Sequence, residues 1–110
     1  MVKTEKLLKA LANKNRLRII RMLEKKDMCV CEITAVLGIR QPSVTDHLLK
    51  LKDAGIIKER QKGLFKEFFL TREKPLLNIM KGISKMLDND SQVKKDSLKI
   101  KTVDRYKICK

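Results

Sequence analysis

A mainly helical chain with one small β-hairpin is the fold that this sequence predicts, and three observations predict it. Apolar residues recur at helical spacing from Thr4 to Leu51. The period turns to alternation between Ile56 and Leu70. Turn-forming residues stand where one pattern gives way to the next: Gly38 and Gly55 after helical runs, Gly63 between alternating ones.

Thr4–Ala12 reads as a first helix, with Leu7, Leu8 and Leu11 on one side and lysines on the other. Asn13 interrupts it. Arg16–Glu24 reads as a second helix with Leu17, Ile20 and Leu23 as its core stripe and Arg16, Arg18 and Arg21 outside. An apolar stretch from Met28 predicts a third helix through Ile33, Val36 and Leu37. Gly38 stops it, because glycine accepts the left-handed backbone that a tight turn needs. The fourth helix runs from Pro42, whose missing N–H costs nothing in a first turn, to about Ala54, and Gly55 ends it. Val44, Leu48 and Leu51 give it one buried face.

Ile56–Arg60 and Leu64–Leu70 then flank Gln61-Lys62-Gly63, a hairpin signature. Helix, tight turn, helix and hairpin in that order make a winged helix-turn-helix, with the hairpin as the wing. Thr71 or Glu73 caps a fifth helix with Pro75 in its first turn. Leu76, Leu77, Ile79, Met80, Ile83, Met86 and Leu87 make that helix too apolar for a monomer's surface, so a homodimer through the first and fifth helices is expected. The division is residues 1–90 as a DNA-binding and dimerisation domain and residues 91–110 as a basic tail. The tail fits a sixth short helix, a strand, or a segment that orders only on DNA.

The charge balance narrows the partners. Lys and Arg number 27 against 13 Asp and Glu, a net +14, so a polyanion is expected. Charge alone does not choose among DNA, RNA and an anionic membrane. No apolar run approaches membrane-spanning length and the first residues hold no signal core, so a cytoplasmic protein without a membrane partner is expected. One tyrosine, three phenylalanines and no tryptophan poorly supply base stacking, which disfavours single strands. The outer face of the fourth helix carries Gln41, Ser43, Thr45, Asp46, His47 and Lys50: short hydrogen-bonding groups that can read base edges, and a cation for phosphate. An ordinary solvated helix face is the plain alternative. One histidine, no Ser-His-Asp order, no phosphate loop and no clustered carboxylates argue against an enzyme.

Three cysteines, two of them separated by one residue, do not suggest a secreted disulfide framework. As free thiols at close spacing, Cys29 and Cys31 suggest metal or redox chemistry. On a regular helix, positions two apart point about 200° from each other, so one metal takes both only through local unwinding or a frayed first turn. The helix N-terminus, Lys25 and Lys26 are expected to lower the thiol pKa. A buried apolar Met-Cys-Val-Cys segment is the alternative.

Three motifs carry a resemblance to the ArsR/SmtB family of dimeric winged-helix metal-sensing repressors. Leu11-Ala12-Asn13-Lys14-Asn15-Arg16-Leu17-Arg18-Ile19-Ile20 resembles the family's LA(D/N)xxRLxIL opening. Met28-Cys29-Val30-Cys31-Glu32-Ile33 resembles its ELCVCDL metal box. Gln41-Pro42-Ser43-Val44-Thr45-Asp46-His47-Leu48 resembles its QPTVSHHL recognition helix, with Asp46 where the family has a first histidine. The resemblance covers about residues 4–87.

It implies a repressor released from DNA by a thiophilic metal or metalloid, with arsenic(III), antimony(III), cadmium or lead as candidate effectors. Gln41, Ser43, Val44, Thr45, Asp46 and His47 are the expected major-groove residues. Lys50 and Lys52 would meet phosphates, and Arg60, Lys62 and Lys66 on the hairpin the flanking backbone or minor groove. A two-fold dimer would set its recognition helices about 34–36 Å apart on an inverted repeat of double-stranded DNA. Cys29 and Cys31 are the expected metal ligands. Cys109 in the tail either completes that site, within one subunit or across the dimer, or stands idle. The fifth helix has no histidine, which excludes the family's second metal site there. Two rivals stand beside this reading: the same fold used as a thiol redox switch, and a basic nucleic-acid-binding module without an effector.

Overall fold

The computed structural model describes residues 2–108. Seven helices and three short strands follow one another: α1 (Val2–Leu11), α2 (Lys14–Lys25), β1 (Met28–Cys29), α3 (Val30–Leu37), α4 (Gln41–Asp53), β2 (Ile57–Lys62), β3 (Phe65–Leu70), α5 (Lys74–Met86), α6 (Ser91–Ile100) and α7 (Arg105–Ile108). The expected helix-turn-helix and hairpin are present. The sheet is antiparallel in the order β1-β3-β2, with Ile57 opposite Leu70 and Lys62 opposite Phe65 in the wing.

One core joins these elements. Ile19, Met22, Ile33, Val36, Val44, Leu51, Ile56 and Ile57 have at most 1% of their surface exposed, and they come from α2, α3, α4 and the start of the wing. Each such side chain contributes about 1.5–3 kcal/mol by leaving water. Gly38, with φ of 72°, closes α3, and its N–H donates to the Thr34 carbonyl at 2.9 Å. That turn aims α4 outward from the helix supporting it.

The structure corrects the sequence reading in three places. Met28 and Cys29 do not begin α3; they pair as β1 with Phe68 and Glu67 of β3. A two-residue strand is too short for any period to reveal, and its partner lies far along the chain. Asn13 does more than interrupt: its Oδ1 accepts the N–H groups of Asn15 and Arg16 at 2.9 and 3.1 Å and so caps α2 two residues earlier than expected. Arg16 and Arg18 are not outside. Each is 9% exposed.

Arg18 shows why a cation is tolerated there. It forms a two-pronged pair with Asp96 of α6, Nε to Oδ2 at 2.9 Å and Nη2 to Oδ1 at 3.0 Å, and donates to the Leu37 carbonyl at 3.3 Å. Val93, Asp96 and Ile100 bury the inner face of α6. Asp90 caps that helix by accepting the Val93 N–H. Arg21 likewise reaches the Ser84 carbonyl and Asp88 after α5.

Two apolar surfaces stay open. On α5, Met80 is buried and Leu76, Leu77 and Ile83 are half-buried, but Ile79 and Met86 are exposed. On α1, Val2 and Leu8 are exposed. A cleft of about 490 Å³ lies where the start of α1 meets Leu76 of α5 and Glu73, the residue before that helix. No helix among the described residues is long and apolar enough to cross a membrane.

Candidate nucleic-acid interface and cysteine corner

The outer face of α4 is solvent-facing along its length. Gln41, Ser43, Thr45, Asp46 and Lys50 are exposed and His47 is half-buried. Val44, expected with them, is fully buried at 0% exposure and holds the helix to the core, so it is not part of the exposed face. Asp46 pairs with Lys50 one turn on, at 3.1 Å, so the acidic group next to the presented face is partly neutralised from within its own helix.

His47 is built into the scaffold. The Arg16 guanidinium, held on the Ala10 carbonyl at 2.6 Å, lies 3.2 Å from His47 Nδ1. A guanidinium only donates, so Nδ1 accepts and the ring proton sits on Nε2. Burial, then the Arg16 charge, hold this imidazole below its ordinary 6.5, against the opposing pull of Asp46. The face thus offers a neutral histidine whose tautomer is fixed from below.

The wing divides the expected cations into two kinds. Lys62 and Lys66 are exposed and form no salt bridge among the described residues. Lys52 donates to Glu59 at 2.7 Å, tying α4 to β2 and holding the Glu59 carboxyl below its usual range. Arg60 pairs with Asp27 and Glu67 and lies 4.6 Å over the Phe69 ring. That side chain braces the wing and is committed in this arrangement. Between α4 and the wing base runs a groove of about 310 Å³, lined by Leu48, Leu49, Phe68, Lys52 and Lys66 among others.

The cysteine corner lies behind this face. Cys29 is the last residue of β1 and the cap of α3, extended at φ −86° and ψ 167°, whereas Cys31 is inside the helix. The break that a two-residue thiol spacing requires is therefore already in the backbone. Glu32 completes a reciprocal cap: its Oε1 accepts the Cys29 N–H at 3.0 Å, and its own N–H points back to the Cys29 sulfur.

The expected thiol activation is corrected here. Burial pushes the Cys29 thiol above its ordinary 9.0 and the Glu32 carboxylate adds to this, outweighing the hydrogen bond from the Glu32 backbone and the Arg105 charge. Lys25 and Lys26 are exposed, and Lys26 spends its charge on Glu32 at 3.4 Å. Cys31, expected as a free thiol, is engaged in a disulfide. Cys109 lies outside the described residues. Among those described, no group of three or more histidine, cysteine, aspartate or glutamate side chains is arranged to hold a metal ion. Only with that disulfide reduced does the corner supply two soft donors, and these fall short of the three sulfurs that trivalent arsenic prefers.

Sequence reasoning missed Arg16, Glu32, Glu67 and Arg105 as organisers of this region. Only Glu32 left a local signal: it stands three residues after the capping position, the spacing of a capping box.

Comparison with known proteins fits this geometry. Residues 13–59 match the model of the bacterial regulatory proteins of the arsR family. An uncharacterized HTH-type transcriptional regulator of Methanocaldococcus jannaschii is 34% identical over 87 residues, covering 78% of this chain and 92% of that protein. The arsenic resistance transcriptional regulator ArsR1 of Pseudomonas putida is 37% identical over 68 residues, covering 61% and 53%, so the chain matches about half of its length. Among solved structures, reduced HlyU from Vibrio cholerae superposes with a TM-score of 0.70 at 25% identity, covering 80% of this chain and 92% of that one. A homodimeric winged helix-turn-helix DNA-binding domain from Mycobacterium bovis gives 0.69 at 22% identity, covering 78% and 79%, a likeness of fold alone.

Proposed function

The chain belongs to the arsR family of bacterial regulatory proteins, DNA-binding transcription regulators and not enzymes, and from that premise we propose that it is a repressor that a thiol-directed signal at Cys29 and Cys31 releases from its operator. The observation that carries the DNA half is the outer face of α4. Gln41, Ser43 and Thr45 stand exposed on a helix whose opposite side, Val44, Leu48 and Leu51, is locked into the core. Such a helix presents base-reading groups without loss of rigidity. Lys50 on the same helix and Lys62 and Lys66 on the wing supply phosphate contacts on either side of it.

A second copy of the chain covers α1 and α5, whose exposed Leu8, Ile79 and Met86 are otherwise costly in water. Two-fold symmetry then makes the operator an inverted repeat. The organisation we infer is residues 1–90 for DNA binding and dimerisation with residues 91–110 as a basic C-terminal tail whose helix α6 packs on that domain, working in the cytoplasm.

The signal is a thiophilic ion, of which arsenic(III), antimony(III), cadmium and lead are the candidates, held by Cys29, Cys31 and a further donor for which Cys109 is the candidate. The corner suits a switch because closing a chelate across the α3 cap deforms the helix that supports α4. A ligand releases DNA only as far as it prefers the deformed shape. The disulfide at Cys31 favours a second reading, in which two thiols give up two protons and two electrons to an oxidant and the S–S bond itself is the signal.

A salt-resolved DNA titration decides among these. It uses reduced protein, wild type and Cys31→Ser, with and without arsenite, antimonite, cadmium, lead and diamide. Release by a metal or metalloid in wild type but not in Cys31→Ser, with equal starting affinity, supports the metal reading. Release by diamide alone, which takes the electrons and becomes its hydrazine, selects the redox reading. Indifference to every reagent removes sensing. Indifference to DNA sequence as well leaves only a basic nucleic-acid-binding module.

A further inference from the structure

Charged side chains from four elements meet beside the cysteine corner. Glu32 of α3 and Glu67 of β3 are each 3% exposed, and carboxylates so far from water need cations. Arg105, on the short terminal helix α7, supplies one to both: its Nη2 lies 2.9 Å from Glu32 Oε1 and 2.9 Å from Glu67 Oε2. Arg60 of β2 takes the other Glu67 oxygen, Nε at 3.1 Å and Nη2 at 2.9 Å, and reaches Asp27 at 2.5 Å. Burial pushes the Glu67 carboxyl upward, but the hydrogen bonds from Arg60 and Arg105 outweigh it and hold the group below its usual range. The Arg105 guanidinium also lies 5.5 Å from the Phe65 ring centroid, and Tyr106 meets that ring edge-on at 5.5 Å. The terminal helix thus grips the wing strand at Phe65 and again at Glu67.

One atom joins this grip to the cysteine corner. Glu32 Oε1, which Arg105 holds, is also the acceptor of the Cys29 N–H. We propose that Arg105 is the positioning residue through which a change at Cys29 and Cys31 reaches the wing, because it fixes Glu32 at the start of α3 and Glu67 on β3 in one geometry. This rests on the reading of the cysteine corner as the sensing site.

Chemistry that draws on both sulfurs rearranges the α3 cap, since the Cys29 sulfur is buried and receives the Glu32 N–H within that cap. Moving the cap takes the Cys29 N–H away from Glu32 and turns that carboxylate. A guanidinium that bridges two carboxylates transmits such a turn, because its donors are fixed in one plane. Glu67 and Arg60 then lose their shared geometry, and the strands carrying Lys62 and Lys66 shift against α4. Docking α7, four residues long, costs little to undo, so it can act as a catch.

The test measures coupling instead of binding alone. Full-length reduced protein, as wild type, Arg105→Gln and Arg105→Lys, is titrated onto a duplex that wild type selects from a random pool, with and without cadmium and with and without diamide. Cadmium binding is followed separately by thiolate ultraviolet absorption, diamide reaction by loss of titratable thiols, and folding by thermal unfolding. Wild type is expected to lose affinity by about tenfold or more with at least one reagent, within the ordinary range of coupling between two sites. Arg105→Gln is expected to react with that reagent equally and to keep its starting affinity within about threefold, yet to lose no more than about twofold on reaction. Arg105→Lys keeps the charge but carries it on a rotating ammonium, without the coplanar N–H pair by which Nη2 holds both carboxylates, and is expected to be uncoupled too; it decides the matter if the glutamine variant does not fold. A wild-type-sized response in either folded variant overturns the proposal and leaves the sensing reading intact. A wild type that reacts with neither reagent, or reacts and keeps its grip on DNA, overturns the sensing reading and this proposal with it.

Discussion

The outer face of α4 and the corner where β1 meets α3 are both rich in polar groups and use them in opposite ways. On α4, Gln41, Ser43 and Thr45 stand in water. At the corner, Glu32 and Glu67 are almost completely enclosed and each is held by an arginine and further donors. Enclosed polar groups left without partners are costly, so evolution of a stable fold satisfies them internally; exposed ones have water as partner and give it up for a ligand. The first region leaves its polar groups open to a partner, and the second commits them to one another. The same contrast separates Lys62 and Lys66 from Arg60 within one hairpin.

Substitutions can break or sharpen that contrast, and the largest effect is expected where charge is most deeply enclosed. Asp96→Ala leaves Arg18 buried without its partner and should cost about 3–5 kcal/mol of stability, read by urea or thermal unfolding, while the folded fraction still binds DNA. A loss below about 1 kcal/mol would show that the pair is no more than a surface contact. On the recognising side, Gln41→Ala should change unfolding by no more than about 0.5 kcal/mol but alter preference at one base pair by about 1–3 kcal/mol, measured by competition among point-substituted duplexes. Equal weakening on all duplexes would reassign Gln41 to the phosphates. Lys62→Ala should do just that: weaker binding to every sequence and a salt slope smaller by about one.

The smallest effect sits on the border between the two regions. His47 has a folded pKa below its ordinary 6.5, so the folded protein favours the neutral ring. Its stabilising contribution is complete above 6.5 and is lost as pH falls through the lowered folded value. Thermal stability should therefore decline as pH drops from about 7 toward 5, and His47→Gln should flatten part of that decline. An unchanged pH profile in the variant would remove Arg16 and His47 as a coupled pair.

Much of this was legible residue by residue. Gly38, Pro42 and Gly63 mark turns through backbone chemistry that needs no distant partner, and the stripe Val44, Leu48 and Leu51 names the buried side of α4 and so exposes the other. The family was legible as well, from three motifs lying within local elements. The cysteine corner was legible only as a spacing. The same stripe that marked Val44 as core argued against Val44 as a groove contact, and the structure gives that argument the decision.

By itself the sequence determined the order of the first five helices and the hairpin, the helix-turn-helix and its wing, the basic charge and the polar face of α4, because periodicity and turn preference act over windows of a few residues. Tertiary structure alone decided that Arg16 and Arg18 lie inside, that Met28 and Cys29 form a strand and that Arg105 returns to the start of α3. Each of these depends on a partner distant in sequence, as with Arg18 and Asp96, 78 residues apart. No local pattern records which opposite charge, or which strand edge, the folded chain will bring into reach.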